Sequence, residues 1–150
     1  MKPELDENQV LGVFCKAMAA CPVHKRYVLS DILTMVLPPI RLQQYRFFEG
    51  AGSYGVITWA FLSREAAEKH VRNREPLTIE EWRSGSDLWI ISLIGKEIEP
   101  RKLVPSFATS LPHDCVHYIR RDDKLRVKKI VAISRTDAGF KVATELLTHV

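Results

Sequence analysis

The stretch QQYRFFEGAGSYGVITWAFL, residues 43–62, crowds aromatic and β-branched residues on both sides of a glycine-containing centre. That distribution reads as two strands joined by a hairpin. The glycines of GAGSYG (50–55) invite comparison with a phosphate-binding loop, but they lie inside the hairpin and not between a strand and a helix. The segment also lacks the lysine of a P-loop, so a turn is the better reading.

Helical patterns precede this hairpin. In ENQVLGVFCKAMAA, Val10, Leu11, Phe14, Ala17, Met18 and the following Cys21 recur at helical spacing and predict a helix over 7–20. Ser30 is placed to cap a second helix, DILTMVLPP, which Pro38 and Pro39 should stop. Beyond the hairpin, Ser63 is placed to cap a helix REAAEKHVRN, and Thr78 with Glu81 has capping-box spacing ahead of Trp82, which predicts another short helical start. LWIISLI (88–94) is short and β-branched, which predicts a buried strand. Residues 100–110 suit a helix that Pro105 interrupts, and CVHYIRR with RVKKIVAIS suits a second hairpin around DDK. The last stretch, DAGFKVATELLTHV, is amphipathic and predicts a terminal helix. The order αα-ββ-α-β-α-ββ-α predicts one α/β (α+β) domain over residues 1–150, its central, mostly antiparallel sheet flanked by helices.

Composition narrows the class. With 46% hydrophobic and 27% charged residues in 150, the chain is an ordinary globular sequence long enough for one core. No apolar run reaches the length of a membrane span, and MKPELDENQV is neither a signal peptide nor a lipidation motif. Cys15, Cys21 and Cys115 form no Cys-x-x-Cys pair, which agrees with a reducing, cytoplasmic location. The net charge of +4 is unevenly spread: residues 101–135 carry nine Lys/Arg against three acids, leaving −2 for the remainder. Such a segment suits an acidic partner or is a solvated turn.

Two clusters have metal-ligand residue types, Cys21-x-x-His24 and the His113, Cys115 and His117 of HDCVH. Zinc takes such ligands, but the usual knuckle spacing is largely missing, and no bound metal is expected. A Cys21–His24 nucleophile pair would need a continuous helix, against which Pro22 argues. His24 alone remains suited to general-base work near neutral pH, although a loop histidine is also commonly structural.

Five ordered segments bear on that choice: Cys-Pro-x-His at 21–24, VLPPI…QY at 36–45, W-A-x-L-S at 59–63, W-x-SG-x-x-x-W at 82–89, and Ile119-Arg120 followed by DDK…V-K. Together they resemble the toxin-activating lysine acyltransferases, the hemolysin-activation proteins that modify RTX protoxins, over about residues 8–131. The resemblance implies a GNAT-like acyltransferase fold and transfer of a fatty acyl chain from acyl carrier protein to a lysine ε-amino group. No bound cofactor is implied, acyl-acyl carrier protein being the donor. It puts the catalytic histidine on His24, a base able to take the proton that keeps a lysine ammonium from attacking a thioester.

The same resemblance puts the catalytic aspartate on Ser92, and the family's next turn is here GKEIE. A serine orients an imidazole but supplies no charge, and loss of an orienting carboxylate costs roughly four orders of magnitude in a hydrolase triad. Asp87 should face the other side of the strand. Three outcomes stay open: weak activity, a substitute acid (Asp31 or Glu97), or a changed role.

The resulting expectation is a protein-lysine acyltransferase with His24 as base and Ser92 as its orienter. Arg120 and Arg121 are expected to anchor the carrier protein or its phosphopantetheine phosphate. Trp59, Trp89 and Phe61 are assigned to the core ahead of an acyl channel. The partners are acyl carrier protein and a lysine-bearing protein or peptide of the RTX-protoxin kind, with a homodimer left open. The alternative is a catalytically weakened member that binds a partner polypeptide or acyl carrier protein. A nucleic-acid-binding domain is disfavoured because residues 120–135 place no base-stacking aromatics among their cations.

Overall fold

The computed structural model describes residues 4–50, 52–73, 76–111, 113–121, 127–137 and 139–146. Among these, four helices and six strands follow one another as α1 (Glu7–Ala20), α2 (Leu29–Leu42), β1 (Tyr45–Gly50), β2 (Ser53–Leu62), α3 (Arg64–Asn73), β3 (Asp87–Lys96), α4 (Pro100–Thr109), β4 (Cys115–Arg121), β5 (Val127–Thr136) and β6 (Gly139–Leu146). The strands form one sheet of order β1-β2-β3-β4-β5-β6. The β1–β2, β4–β5 and β5–β6 pairs are antiparallel, and β3–β4 is parallel. The chain divides into two compact units, residues 1–59 with 92–98 and residues 60–91 with 99–150.

In the first unit, Asp6 caps α1 through a reciprocal box. Its carboxylate accepts from Gln9 N at 2.8 Å, and its own N–H donates to Gln9 Oε1 at 2.9 Å. The expected apolar stripe is the one buried: Val10, Phe14, Ala17, Met18 and Cys21 pack with Val36, Ile40, Val56 and Ile94. Phe14 stands edge-on to Tyr45 and Phe47, at 5.7 and 5.9 Å between ring centroids, which joins the helix to the hairpin.

The second helix departs from expectation at both ends. It begins at Leu29 after Val28, without a side-chain cap from Ser30, and it runs through Pro38 and Pro39 to Leu42. Those prolines deprive the carbonyls of Thr34 and Met35 of their donors, a disruption of about 3 kcal/mol or more in an exposed helix interior. Here Val36, Pro39 and Ile40 are buried, so packing offsets the lost bonds. Gln43, left-handed at φ 55°, ends the helix instead, its N–H bonding Ile40 O. Gln44 is then buried and tied to β2 twice, donating Nε2–H to Trp59 O at 2.8 Å and accepting from Trp59 N at 3.1 Å.

In the second unit, Ser63 caps α3 by accepting from Ala66 N at 3.1 Å. Thr78 and Glu81 do form the reciprocal box, at 3.1 and 3.2 Å, but the chain makes only a turn there. The predicted helix gives way because the backbone at 82–85 pairs with Phe61: Phe61 N donates to Trp82 O at 2.9 Å and Ser84 N to Phe61 O at 2.8 Å. The Ser-Gly step has a distinct role at each residue. The Ser84 hydroxyl accepts from Ser63 N and donates to Glu81 O. A Cβ on Gly85 would strike the Leu62 carbonyl, so only glycine permits the approach. In α4, burial of Val104, Phe107 and Ala108 carries the helix past Pro105 to Thr109.

The terminal segment is a correction. Residues predicted to be helical form strand β6, paired with β5 from Thr136↔Gly139 to Lys129↔Leu146. A left edge on β5 would leave a row of unpaired backbone groups, which this segment covers. Gly139 at φ 120° and the Thr136 hydroxyl, which donates to Gly139 O at 3.0 Å, close the turn. Residues 147–150 of the predicted helix, and DDK of the predicted β4–β5 turn, lie outside the described residues.

Candidate active site

The geometry around His24 follows from how α1 ends. Cys21 caps that helix in an extended conformation, its N–H bonding Met18 O at 3.1 Å, and Pro22 prevents continuation. The chain turns at once: Lys25 N donates to Cys21 O at 3.0 Å and Tyr27 N to His24 O at 3.1 Å, so His24–Arg26 form a single 3-10 turn. Cys21 precedes that turn, and the bond from Lys25 N to Cys21 O folds the chain back so that the ring approaches the thiol. The Cys21 sulfur therefore lies 3.0 Å from His24 Nδ1. The expectation that this pair needs a continuous helix is overturned, because a non-helical turn closes the same distance.

Burial lowers the His24 pKa from 6.5 to about 4, so the ring is neutral at physiological pH. The Tyr27 ring packs on it at 5.2 Å between centroids. Around this turn the surface is unusually apolar: Val23 and Tyr27 are exposed, and Val28 and Leu29 retain 60% and 67% of their surface. Lys25 and Arg26, also exposed, interrupt that patch with positive charge. The arrangement presents a neutral imidazole beside apolar surface and two cations.

Ser92 belongs to the same unit, in β3, and is buried on the strand face that also carries Ile94. Among the described residues, the hydrogen bond of the His24 ring goes to Cys21, and none joins it to Ser92, Asp31 or Glu97. Asp31 lies exposed in the first turn of α2, and Glu97 lies exposed after β3 at a left-handed φ of 57°. Trp59 and Phe61 are half-buried in β2, and Trp89 is buried in β3.

Arg120 and Arg121 lie in the second unit at the end of β4, half-buried, where the register with β5 shifts between them. The second metal-type cluster lies in the same unit. His117 stacks on Trp89 at 4.9 Å, its Nδ1–H donates to Leu88 O at 3.3 Å, and Cys115 Sγ is 3.8 Å from Nε2. His113 instead packs its ring on Phe61 at 5.1 Å, and its Nδ1 is buried without a partner. No three of His, Cys, Asp and Glu converge as a ligand set among the described residues. His70, edge-on to Trp89, has its pKa lowered to about 4 by burial and then by the Arg121 charge.

The Cys21–His24 pair was legible in the sequence but set aside. Its signal was the three-residue spacing on either side of Pro22, discounted because only a helix was considered as the means of bringing them together.

Residues 3–129 match the RTX toxin acyltransferase family, HlyC. Among curated relatives, the chain is 28% identical over 147 residues to the RTX-I toxin-activating lysine-acyltransferase ApxIC of Actinobacillus pleuropneumoniae, covering 97% of this chain and 86% of that protein. It is 31% identical over 124 residues to a protein-lysine myristoyltransferase HlyC of Escherichia coli, covering 81% and 72%. The leukotoxin-activating lysine-acyltransferase LtxC of Aggregatibacter actinomycetemcomitans is 29% identical over 113 residues, covering 75% and 67%.

Proposed function

This chain belongs to the RTX toxin acyltransferase family, and on that premise we propose that it is a GNAT-like protein-lysine acyltransferase acting as one domain in the cytoplasm. It moves a fatty acyl chain from acyl carrier protein to a lysine ε-amino group of an RTX-type or similar protein. The sheet, with β1–β2, β4–β5 and β5–β6 antiparallel and β3–β4 parallel, supports the fold reading. Among the described residues, no helix is long and apolar enough to cross a membrane.

The observation that carries the chemistry is the placement of His24: a ring held in a tight turn against Cys21, beside exposed Val28 and Leu29. Neutral imidazole relays one proton from the lysine ammonium to solvent, the freed amine attacks the thioester carbonyl, and the imidazole passes the nitrogen's second proton to the carrier's departing thiolate. The exposed apolar side chains suit the aliphatic chain being transferred, and nearby cations suit an acidic carrier. The decisive experiment incubates the purified protein with acyl-acyl carrier protein and a lysine-bearing protoxin fragment, and reads acylation by mass spectrometry. The wild type should add one acyl mass per modified lysine. His24→Ala should lose at least about 100-fold in rate with a nearly unchanged thermal midpoint. Normal transfer by that variant removes His24 from the chemistry.

Ser92 favours a second reading. With a serine in place of the carboxylate that the resemblance implies, the chain serves as a binding protein for acyl carrier protein or a partner polypeptide. Carrier binding without any transfer by the wild type selects this reading.

A further inference from the structure

We propose that Cys21 is the positioning residue of His24: its sulfur accepts the Nδ1–H hydrogen bond, which leaves Nε2 free as the base. This inference rests on the acyltransferase reading above. A neutral imidazole carries one N–H and one free lone pair, so the partner of one nitrogen fixes the role of the other. The contact is 3.0 Å, and hydrogen bonds from His24 to a carboxylate or to Ser92 are absent among the described residues.

The sulfur is well placed to hold a ring still. Cys21 is 5% exposed and belongs to the packed cluster that includes Phe14, Met18 and Val36. Both its backbone polar groups are bonded, N–H to Met18 O and carbonyl from Lys25 N, so its main chain is held. On the imidazole side, the Tyr27 ring limits rotation. The task done elsewhere by a carboxylate, fixing the tautomer and aiming the ring, is thus met by a thiol from the preceding helix end.

The proton path balances without a bond to sulfur. The ammonium first gives one proton to solvent through Nε2; the neutral amine then attacks the thioester carbon, and a second N–H bond breaks as the Nε2–H bond forms. The carbon–sulfur bond to the carrier then breaks, and its thiolate takes the proton back from Nε2. Burial of Cys21 keeps it out of the covalent chemistry.

Three variants and one spectrum test the role. Nitrogen-15 NMR of the full chain should show His24 as the Nδ1–H tautomer, with Cys21→Val shifting it toward a mixture. Cys21→Val keeps the apolar volume but removes the acceptor, and Cys21→Ala is a second route to the same loss. Either should lower kcat about 10- to 100-fold with KM for the acyl carrier unchanged. Cys21→Ser, whose hydroxyl accepts the same bond, should keep kcat within about threefold of wild type. An Nε2–H tautomer in the wild type, or a folded Cys21→Val with full kcat, overturns the positioning role alone. A wild type that transfers nothing overturns the acyltransferase reading, and the role falls with it.

Discussion

Gly55 and Gly95 meet backbone to backbone across β2 and β3. A Cβ on Gly55 would lie 2.9 Å from Gly95 Cα and strike the Ile94 carbonyl; one on Gly95 would lie 2.6 Å from Gly55 Cα and strike Tyr54 O. Real Cβ atoms do not approach so closely, and Gly95 adds a φ of 153° that other residues rarely adopt. The pairing lies within the unit that holds His24 and Ser92, so strain there reaches the candidate site's own scaffold.

Gly55→Ala should therefore destabilise by about 1–3 kcal/mol, the ordinary cost of overpacking, lowering the thermal midpoint by roughly 3–10 °C for a chain of this size. Gly12→Ala is the control, because its Cβ would meet nothing within 4 Å in the middle of α1. It should stabilise by about 0.5–1 kcal/mol. Equal midpoints for the two variants would show that β2 and β3 do not approach as described.

Ser92→Asp tests the departure from the implied dyad. A carboxylate at this position in β3 should raise acyl transfer about 10- to 100-fold if it reaches the imidazole, since a grafted group recovers only part of a native one's effect. Unchanged transfer would assign ring orientation elsewhere, and Cys21 is the residue already in contact.

His24 and His70 make stability fall in mild acid. Both have folded pKa values of about 4 against 6.5, the first from burial and the second from burial and the Arg121 charge. Between these values the unfolded chain binds protons that the folded chain refuses. The stabilisation is complete above pH 6.5 and is lost progressively as pH falls toward 4. His70→Gln should flatten the thermal midpoint between pH 6.5 and 4 relative to wild type. Parallel curves for the two proteins would mean that His70 titrates normally.

Carrier docking can be separated from chemistry. Arg120→Glu with Arg121→Glu should weaken binding of acyl carrier protein, and wild-type binding should weaken as salt rises. Affinity insensitive to both returns the end of β4 to ordinary solvated surface. Strongly salt-dependent DNA binding would instead revive the nucleic-acid reading.

Local pattern carried much of the organisation. The 3.6-residue stripe of 7–20 reappears as the buried face of α1, and the aromatic and β-branched stretch 43–62 as the β1–β2 hairpin with register Tyr45↔Thr58 to Gly50↔Ser53. Ordered segments around His24, Trp82 and Trp89 were enough for the family, which the match over residues 3–129 bears out. These signals are legible because each depends on residues close together in the chain.

Elsewhere, distant partners overruled local preference. FKVATEL alternates in period two yet also fits an amphipathic helix, and only the open edge of β5 selects the strand. Pro38 and Pro39 read as a stop until Val36, Pro39 and Ile40 are seen buried, where packing outweighs the missing donors. Thr78 and Glu81 form their box but start no helix, because Phe61 claims the following backbone. The Cys21–His24 contact depends on the path taken after Pro22, which no residue propensity specifies. Periodicity names the face of an element; which backbone groups and cores meet that face is settled by non-local pairing, whose energy is absent until the chain has folded.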